Sequence, residues 1–144
     1  MNKLKVKKLH NDAILPQYAT TGAACFDLHA CETVVYGSGK SAVIDTGLAF
    51  EVPEGYALMI YSRSGHGFNN GWRLANSVGV VDSDFRGSVK VKLVSDRAPI
   101  ESIHAGDRVA QAMLVPVPKY EIVEAGQLSD TERGDGGFGS TGTK

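Results

Sequence analysis

No apolar stretch in these 144 residues is longer than Tyr56–Tyr61, six residues where a membrane-spanning helix needs ~20. The N-terminal MNKLKVKKLHND is basic but carries no apolar h-region, so no signal peptide is expected. The chain is expected to stay in the cytoplasm, or in the nucleus, or in the host cytoplasm if its source is viral. Charge of one sign is also missing: 15 basic against 16 acidic residues leave a net charge of -1, too little for a general attraction to nucleic acid or anionic lipid. Neither stable nucleic-acid binding nor membrane binding is expected, and any polyanion must be met by a local site. Cysteine is scarce. Cys25 and Cys31 form no CxxC pair, stand an even spacing apart on an expected strand, and read as reduced packing residues. His10, His29, His66 and His104 never fall at i, i+4 spacing, which speaks against a dedicated histidine metal site. What is plentiful is glycine, 17 residues, well above the ~7% of ordinary usage. A chain of this length is expected to form one turn-rich domain.

Apolar and polar residues alternate in Leu4-Lys5-Val6-Lys7, Phe26-Asp27-Leu28-His29-Ala30, Leu48-Ala49-Phe50-Glu51-Val52 and Val89-Lys90-Val91-Lys92-Leu93. Period two predicts strands with one buried face. The turn segments Gly37-Ser38-Gly39, Pro53-Glu54-Gly55, Phe85-Arg86-Gly87 and Ala105-Gly106-Asp107 follow too closely for crossover helices. An all-β, antiparallel, jelly-roll-like barrel is expected. Asp107 to Leu114 could also present a helical face through Val109, Ala112 and Met113, but Pro116 and Pro118 would stop a helix quickly, and a strand is expected. The division expected from composition is a barrel over 1–124 and a flexible Gly-rich arm over 125–144. The arm has too little apolar surface to offset its backbone entropy by itself. A frayed terminus is one reading; a lid that orders over an anionic aromatic ligand is the other.

Two glycine patterns fail their context tests. Gly37-Ser38-Gly39-Lys40-Ser41 lacks the first P-loop glycine, Val34 standing there, and runs into alternating residues, so a hairpin turn is expected. Gly134, Gly136 and Gly139 satisfy GxGxxG without a βαβ unit around them.

Five segments combine glycine with charged or hydroxyl residues: Thr21 to Leu28, Arg63-Ser64-Gly65, Gly79 to Gly87, Gly106 to Gln111, and Arg133 to Gly142. Each alone has an explanation as turn or surface. In this order and spacing they resemble the five motifs of the homotrimeric dUTPases, deoxyuridine triphosphate nucleotidohydrolases. That resemblance implies a jelly-roll subunit in a homotrimer whose active sites are shared between chains. It also implies Mg2+-dependent hydrolysis of dUTP to dUMP and pyrophosphate by water attack on the α-phosphorus, which limits uracil in DNA and supplies dUMP for thymidylate synthesis.

By the same resemblance, Asp82 activates the attacking water; the bland alternative is a turn-capping aspartate, for which Asp84, with Arg86 as ion-pair partner, is the better candidate. The hairpin Val78 to Arg86 offers backbone to the uracil edge, with Gly79, Val81 and Asn76 shaping the pocket. Uracil presents a donor between two acceptors where cytosine reverses two of the three signs, so buried unpaired groups reject the wrong base. Phe85 stands where relatives often carry Tyr and packs under the deoxyribose. Arg63, Ser64, Gly65 and Gln111 match phosphate-binding positions. Asp27 matches a position that meets Mg2+ through water, in keeping with a cation that retains its hydration; otherwise it is a polar residue on the exposed face of its strand. In the arm, Phe138 resembles the ring that stacks on uracil, Arg133 a catalytic arginine reaching the phosphates, and Gly139, Ser140 and Thr141 further binding positions. Ser62 and His66 depart from the family pattern and put local rigidity and pH dependence in question. Residues 67–72 carry no expected role.

Two alternatives stand beside the hydrolase. A dCTP deaminase needs a glutamate on the strand after the hairpin, where this chain has Lys92. A nucleotide-switched regulatory protein would use the arm as its switch.

Overall fold

The computed structural model describes residues 3–35, 40–97, 99–100, 102–138 and 140. Eleven strands form four antiparallel sheets among these residues. In chain order they are β1 (Lys5–Lys8), β2 (Phe26–His29), β3 (Val34–Val35), β4 (Ser41–Asp45), β5 (Leu48–Glu51), β6 (Tyr56–Tyr61), β7 (Trp72–Leu74), β8 (Val78–Val81), β9 (Lys90–Ser95), β10 (Ser102–Ile103) and β11 (Arg108–Pro116). The only helix among them is a π-helical turn, His66–Asn70. No described helix is long and apolar enough to cross a membrane.

The larger sheets have the orders β2-β11-β6-β8 and β4-β9-β7, beside the pairs β1-β5 and β10-β3. Inward residues of the first, Phe26, Leu28, Leu58, Ile60, Ala110 and Ala112, join Ala42, Ile44, Leu74, Val91 and Leu93 of the second in one core. Full burial of a side chain such as Leu58 contributes roughly 1.5–3 kcal/mol, so the alternation read along each strand is also what holds the sheets together. Phe26 stacks on Phe50 at 6.3 Å and meets the edge of Tyr18 at 5.6 Å. Successive strands β6 and β7, and again β8 and β9, lie in different sheets, which is the sheet-switching path of a jelly roll.

The segment that could have been helical is β11, the longest strand. A register shift between Arg108 and Ala110 lets the consecutive residues Val109 and Ala110 both be buried, which explains why its alternation was imperfect. The hairpin turn expected at 37–39 lies outside the described residues; of the strands on either side of it, β3 pairs with β10 and β4 with β9. Cys25 and Cys31 flank β2 and are not within a strand, and burial raises the pKa of both thiols, in keeping with reduced packing residues.

The chain leaves the barrel after Val117, whose N–H donates to Gly55 O at 2.8 Å. Beyond it Tyr120, Ile122, Val123, Leu128 and Phe138 are exposed, and no described residue after Pro116 joins a strand.

Candidate active site

One rung of the large sheet gathers three of the five segments. Asp27 on β2 pairs with Gln111 on β11, and Gln111 pairs with Tyr61, the last residue of β6, from which Ser62-Arg63-Ser64 departs. Directly opposed residues place their side chains on one face, so residues far apart in sequence are brought side by side by register alone. Gln111 Nε2 donates to Ser62 O at 2.9 Å. Arg63 Nε donates to Asp27 Oδ1 at 3.0 Å, and Arg108 Nη1 approaches Asp27 Oδ2 at 3.4 Å. Asp27 is therefore an ion-paired hub that is only 16% exposed, not a polar residue left on an open strand face. Ser62, whose place raised a question of rigidity, accepts a hydrogen bond from Leu74 N–H at 2.9 Å and ties β6 to β7. His66 stacks on Trp72 at 5.1 Å, and its Nε2 lies 2.6 Å from Arg108 O. Arg63, Ser64 and Gln111 line a cleft of about 460 Å³ together with Gly67, Phe68 and Arg97.

The second cleft, of about 340 Å³, lies along β8 and is lined by Ile60, Asn76, Gly79, Val81, Asp82 and Phe85 among others. β8 is the edge of its sheet, bonded to β6 alone, so every second residue turns its N–H and C=O away from the sheet. Gly79 permits the close pairing: a Cβ there would stand 3.1 Å from Ile60 Cβ. Ser77, at φ 62°, turns the chain into β8. After Val81 the turn is closed by Phe85 N–H donating to Asp82 O at 3.2 Å. Among the described residues nothing donates to the Asp82 carboxylate, so it does not cap this turn. The expected Asp84–Arg86 ion pair is not formed; Arg86 Nη1 donates to Ser83 O and Phe85 O at 2.7 and 2.9 Å, because the tight turn presents carbonyls closer than the carboxylate. The Phe85 ring packs over Gly87, where a Cβ would fall 2.6 Å from Cζ, and keeps 45% exposure for a ligand. Behind the turn, Thr46 Oγ1 donates to Val89 O at 2.7 Å. Asp45 receives Ser88 Oγ, Gly47 N–H and Lys90 Nζ; burial works to raise its pKa, but these donors outweigh it and hold the carboxyl below its ordinary value.

An adjoining cleft of about 380 Å³ contains Asn76, Gly79, Lys90 and Lys92. Among the described residues Asp82 is the only carboxylate lining it or the β8 cleft, and no glutamate lines either.

The two clefts do not merge. Asp82 lines neither side of the Arg63 cleft, and Arg63, Ser64 and Gln111 are absent from the β8 cleft. Val78 pairs with Tyr61 and Val81 with Leu58, a span of ~10 Å at ~3.3 Å per residue, and Asp82 and Arg63 lie beyond opposite ends of it. Among the described residues, the hydrogen bonds of Arg133, Gly134, Gly136 and Ser140 stay within the arm, Arg133 Nε reaching Gly136 O at 2.7 Å. Phe138 is fully exposed at φ 49°. Gly139 and Thr141 lie outside the described residues. Arg108 and the Ser62 hydroxyl were missed by motif reading; Arg108 stands inside the fourth segment, but its partner is 81 residues away.

Among the described residues no group of three or more His, Cys, Asp or Glu could hold a metal, and both Asp27 oxygens are engaged by guanidinium groups. Such a donor set suits a hydrated divalent cation carried on phosphate oxygens, not a protein cage.

The family model described as dUTPase matches residues 11–142. The deoxyuridine 5'-triphosphate nucleotidohydrolase of Nautilia profundicola is 49% identical over 140 residues, 97% of this chain and 99% of the relative. The solved Staphylococcus bacteriophage 80alpha dUTPase with dUPNHPP has a TM-score of 0.89 at 27% identity, over 99% of this chain and 100% of that one. A mutant dUTPase from phage phi11 of S. aureus, solved for the coordination of a structural Mg(II) ion, has a TM-score of 0.77 at 25% identity, over 88% and 98%. Matched over residues 11–142 by the family model and over 97% of its length by a relative 49% identical to it, the chain belongs to the dUTPase family.

Proposed function

We propose that this chain hydrolyses dUTP to dUMP and pyrophosphate, with Asp82 orienting the attacking water and accepting its proton. dUTP hydrolysis is the activity of its family. The observation that carries the assignment of Asp82 is its place as the only carboxylate among the described residues of the edge-strand cleft, next to backbone donors and acceptors that no described strand occupies. A positioned general base contributes about 10²- to 10⁴-fold in rate. The outward backbone of β8, with Asn76, reads the uracil edge; a base with the wrong donor and acceptor order leaves groups unpaired. The exposed face of Phe85 supports the deoxyribose and leaves a ribose 2′-hydroxyl without room. Arg63, Ser64 and Gln111 meet the phosphates, and Asp27 fixes the Arg63 guanidinium before substrate arrives. Mg2+ on the triphosphate supplies charge neutralisation when bound, with Asp27 reaching its water shell.

The separation of Asp82 from Arg63 favours a site completed between copies of the chain, and a homotrimer is the assembly we assign. The exposed apolar arm residues suit a neighbouring copy. We further divide the chain into a barrel, 1–124, and an arm, 125–144, in which Arg133, Phe138, Gly139, Ser140 and Thr141 close over the ligand. The deaminase reading loses support because Lys92 stands in the adjoining cleft and no glutamate among the described residues joins it.

The test is product analysis of dUTP, dTTP, dCTP and UTP with Mg2+ in 18O-labelled water. Label in dUMP from dUTP alone is expected. Ammonia from dCTP would establish a deaminase, and tight dUTP binding without turnover would move the chain to the regulatory class.

A further inference from the structure

Six arginines occur in the sequence, and five of their side chains have acceptors in the fold. Arg63 and Arg108 share Asp27; Arg73 makes a two-point bond to Asp96 at 2.9 and 3.1 Å; Arg86 donates to carbonyls of its own turn; Arg133 donates to Gly136 O. Arg97 is the exception. Its guanidinium has no hydrogen-bond acceptor or ion-pair partner among the described residues, and the adjacent carboxylate, Asp96, is already taken by Arg73.

The Arg97 side chain is nevertheless held in place. Gly71 ends the π-helical turn at φ 69°, and a Cβ on it would stand 2.9 Å from Arg97 Cγ and 3.1 Å from Cδ. Only glycine lets the arginine stem lie across this backbone, and the left-handed φ favours glycine as well. Two further bonds fix the loop, Asp96 N–H to Gly71 O at 3.1 Å and Arg97 N–H to Ser95 Oγ at 3.3 Å. The stem is thereby anchored beside the turn that follows Ser64, and Arg97 lines the same cleft as Arg63, Ser64 and Gln111.

We propose that Arg97 is a further substrate-binding residue, a second guanidinium that meets the phosphate chain outside the five motifs. This rests on the reading of that cleft as the phosphate site. Charge explains the need for it. Arg63 shares the Asp27 carboxylate with Arg108 and so arrives neutralised in part, whereas Arg97 brings to the same cleft a guanidinium with no carboxylate partner among the described residues. A further fork of donors beside Arg63, Ser64 and Gln111 serves a chain of several phosphates. Arg97 therefore favours the triphosphate over the monophosphate product, which helps binding and release together.

The test compares binding of dUPNHPP and dUMP, and turnover of dUTP, for the full-length protein and for Arg97→Gln, which keeps the stem over Gly71, and Arg97→Lys, which keeps the charge. The expected result for Arg97→Gln is a 3- to 10-fold weaker dUPNHPP affinity with a similar rise in KM. Its dUMP affinity and kcat stay within about twofold, and Arg97→Lys lies between. Lys7→Ala, an equal charge change at an exposed position of β1, is the control and leaves dUPNHPP affinity unchanged. Unchanged dUPNHPP binding in Arg97→Gln, equal loss of dUPNHPP and dUMP, or an equal loss in Lys7→Ala would each overturn the proposal. Failure of the functional reading shows separately, as a parent protein that does not hydrolyse dUTP.

Discussion

The two clefts are built by opposite means. The β8 cleft is nearly all backbone: an edge strand, a glycine where Ile60 presses close, a turn closed by its own amide, and one carboxylate. The Arg63 cleft is made of long polar side chains whose positions are set by other side chains, Asp27 gripping Arg63 and Arg108 while Gln111 holds Ser62. Backbone is rigid and suits discrimination, since a base with a misplaced donor or an extra methyl meets groups that cannot move aside. Charged side chains suit affinity for a flexible polyanion. In the proposed function, choosing the base and holding the phosphates thus fall to separate clefts.

The arm belongs to neither cleft in the single chain, and its removal gives the largest expected effect. Truncation before Arg133 is expected to abolish most dUTP turnover while thermal unfolding and oligomer size stay those of the parent, because the described hydrogen bonds of the removed residues reach no further back than Thr131, itself in the arm. Full-rate hydrolysis by the truncated protein would dismiss the lid. Asp82→Asn comes next: it keeps shape and loses the base, so kcat is expected to fall by ~10²- to 10⁴-fold with dUPNHPP affinity retained. Retained turnover, measured by pyrophosphate release, would take Asp82 out of that role.

Gly79→Ala sharpens the comparison from the backbone side. Its Cβ would press on Ile60 Cβ at 3.1 Å and push β8 off β6, an overpacking cost of ~1–3 kcal/mol. A lower Tm with weakened binding of both dUMP and dUPNHPP is expected, in contrast to the selective loss at Arg97; unaltered dUMP affinity would show that β8 does not form the base site.

The smallest effect concerns pH. His29 stands on β2 across from Arg108, and its Nδ1 is buried without a hydrogen-bond partner among the described residues. Burial lowers its pKa below the usual 6.5, Asp27 opposes that, and Arg108 and Arg63 add to it. The unfolded chain therefore binds the proton first on acidification. The His29 contribution to stability is complete above about pH 6.5 and is lost as pH falls through the lower folded-state value. The fall in Tm between pH 7.5 and 5 is expected to be shallower in His29→Asn; an identical slope would remove His29 from the acid response.

Strands with one wet face were legible because alternation is local, as in Lys90–Ser95 and Phe26–His29. Two-residue strands such as Val34–Val35 are too short to show a period, and the partner of β3 lies across the chain in β10. The candidate site was legible as a set of segments, not as an arrangement. Nothing near Asp27 in sequence reveals that two guanidiniums will share it, since Arg63 and Arg108 reach it only through register across three strands. Arg97 lies outside every motif, and its lack of a partner emerges only when Arg73 is seen to occupy Asp96.

The central claim is that base-side and phosphate-side groups work together only across chains, and subunit mixing tests it most directly. Asp82→Asn and Arg63→Ala proteins, each nearly inactive alone, are to be dissociated together, reassembled, and isolated as mixed oligomers by two different tags. In a cyclic trimer of both kinds, one site in about three takes Asp82 from one chain and Arg63 from its neighbour, so recovery of up to about a third of parental turnover is predicted. Mixed oligomers that form and remain as inactive as either variant would contradict the account.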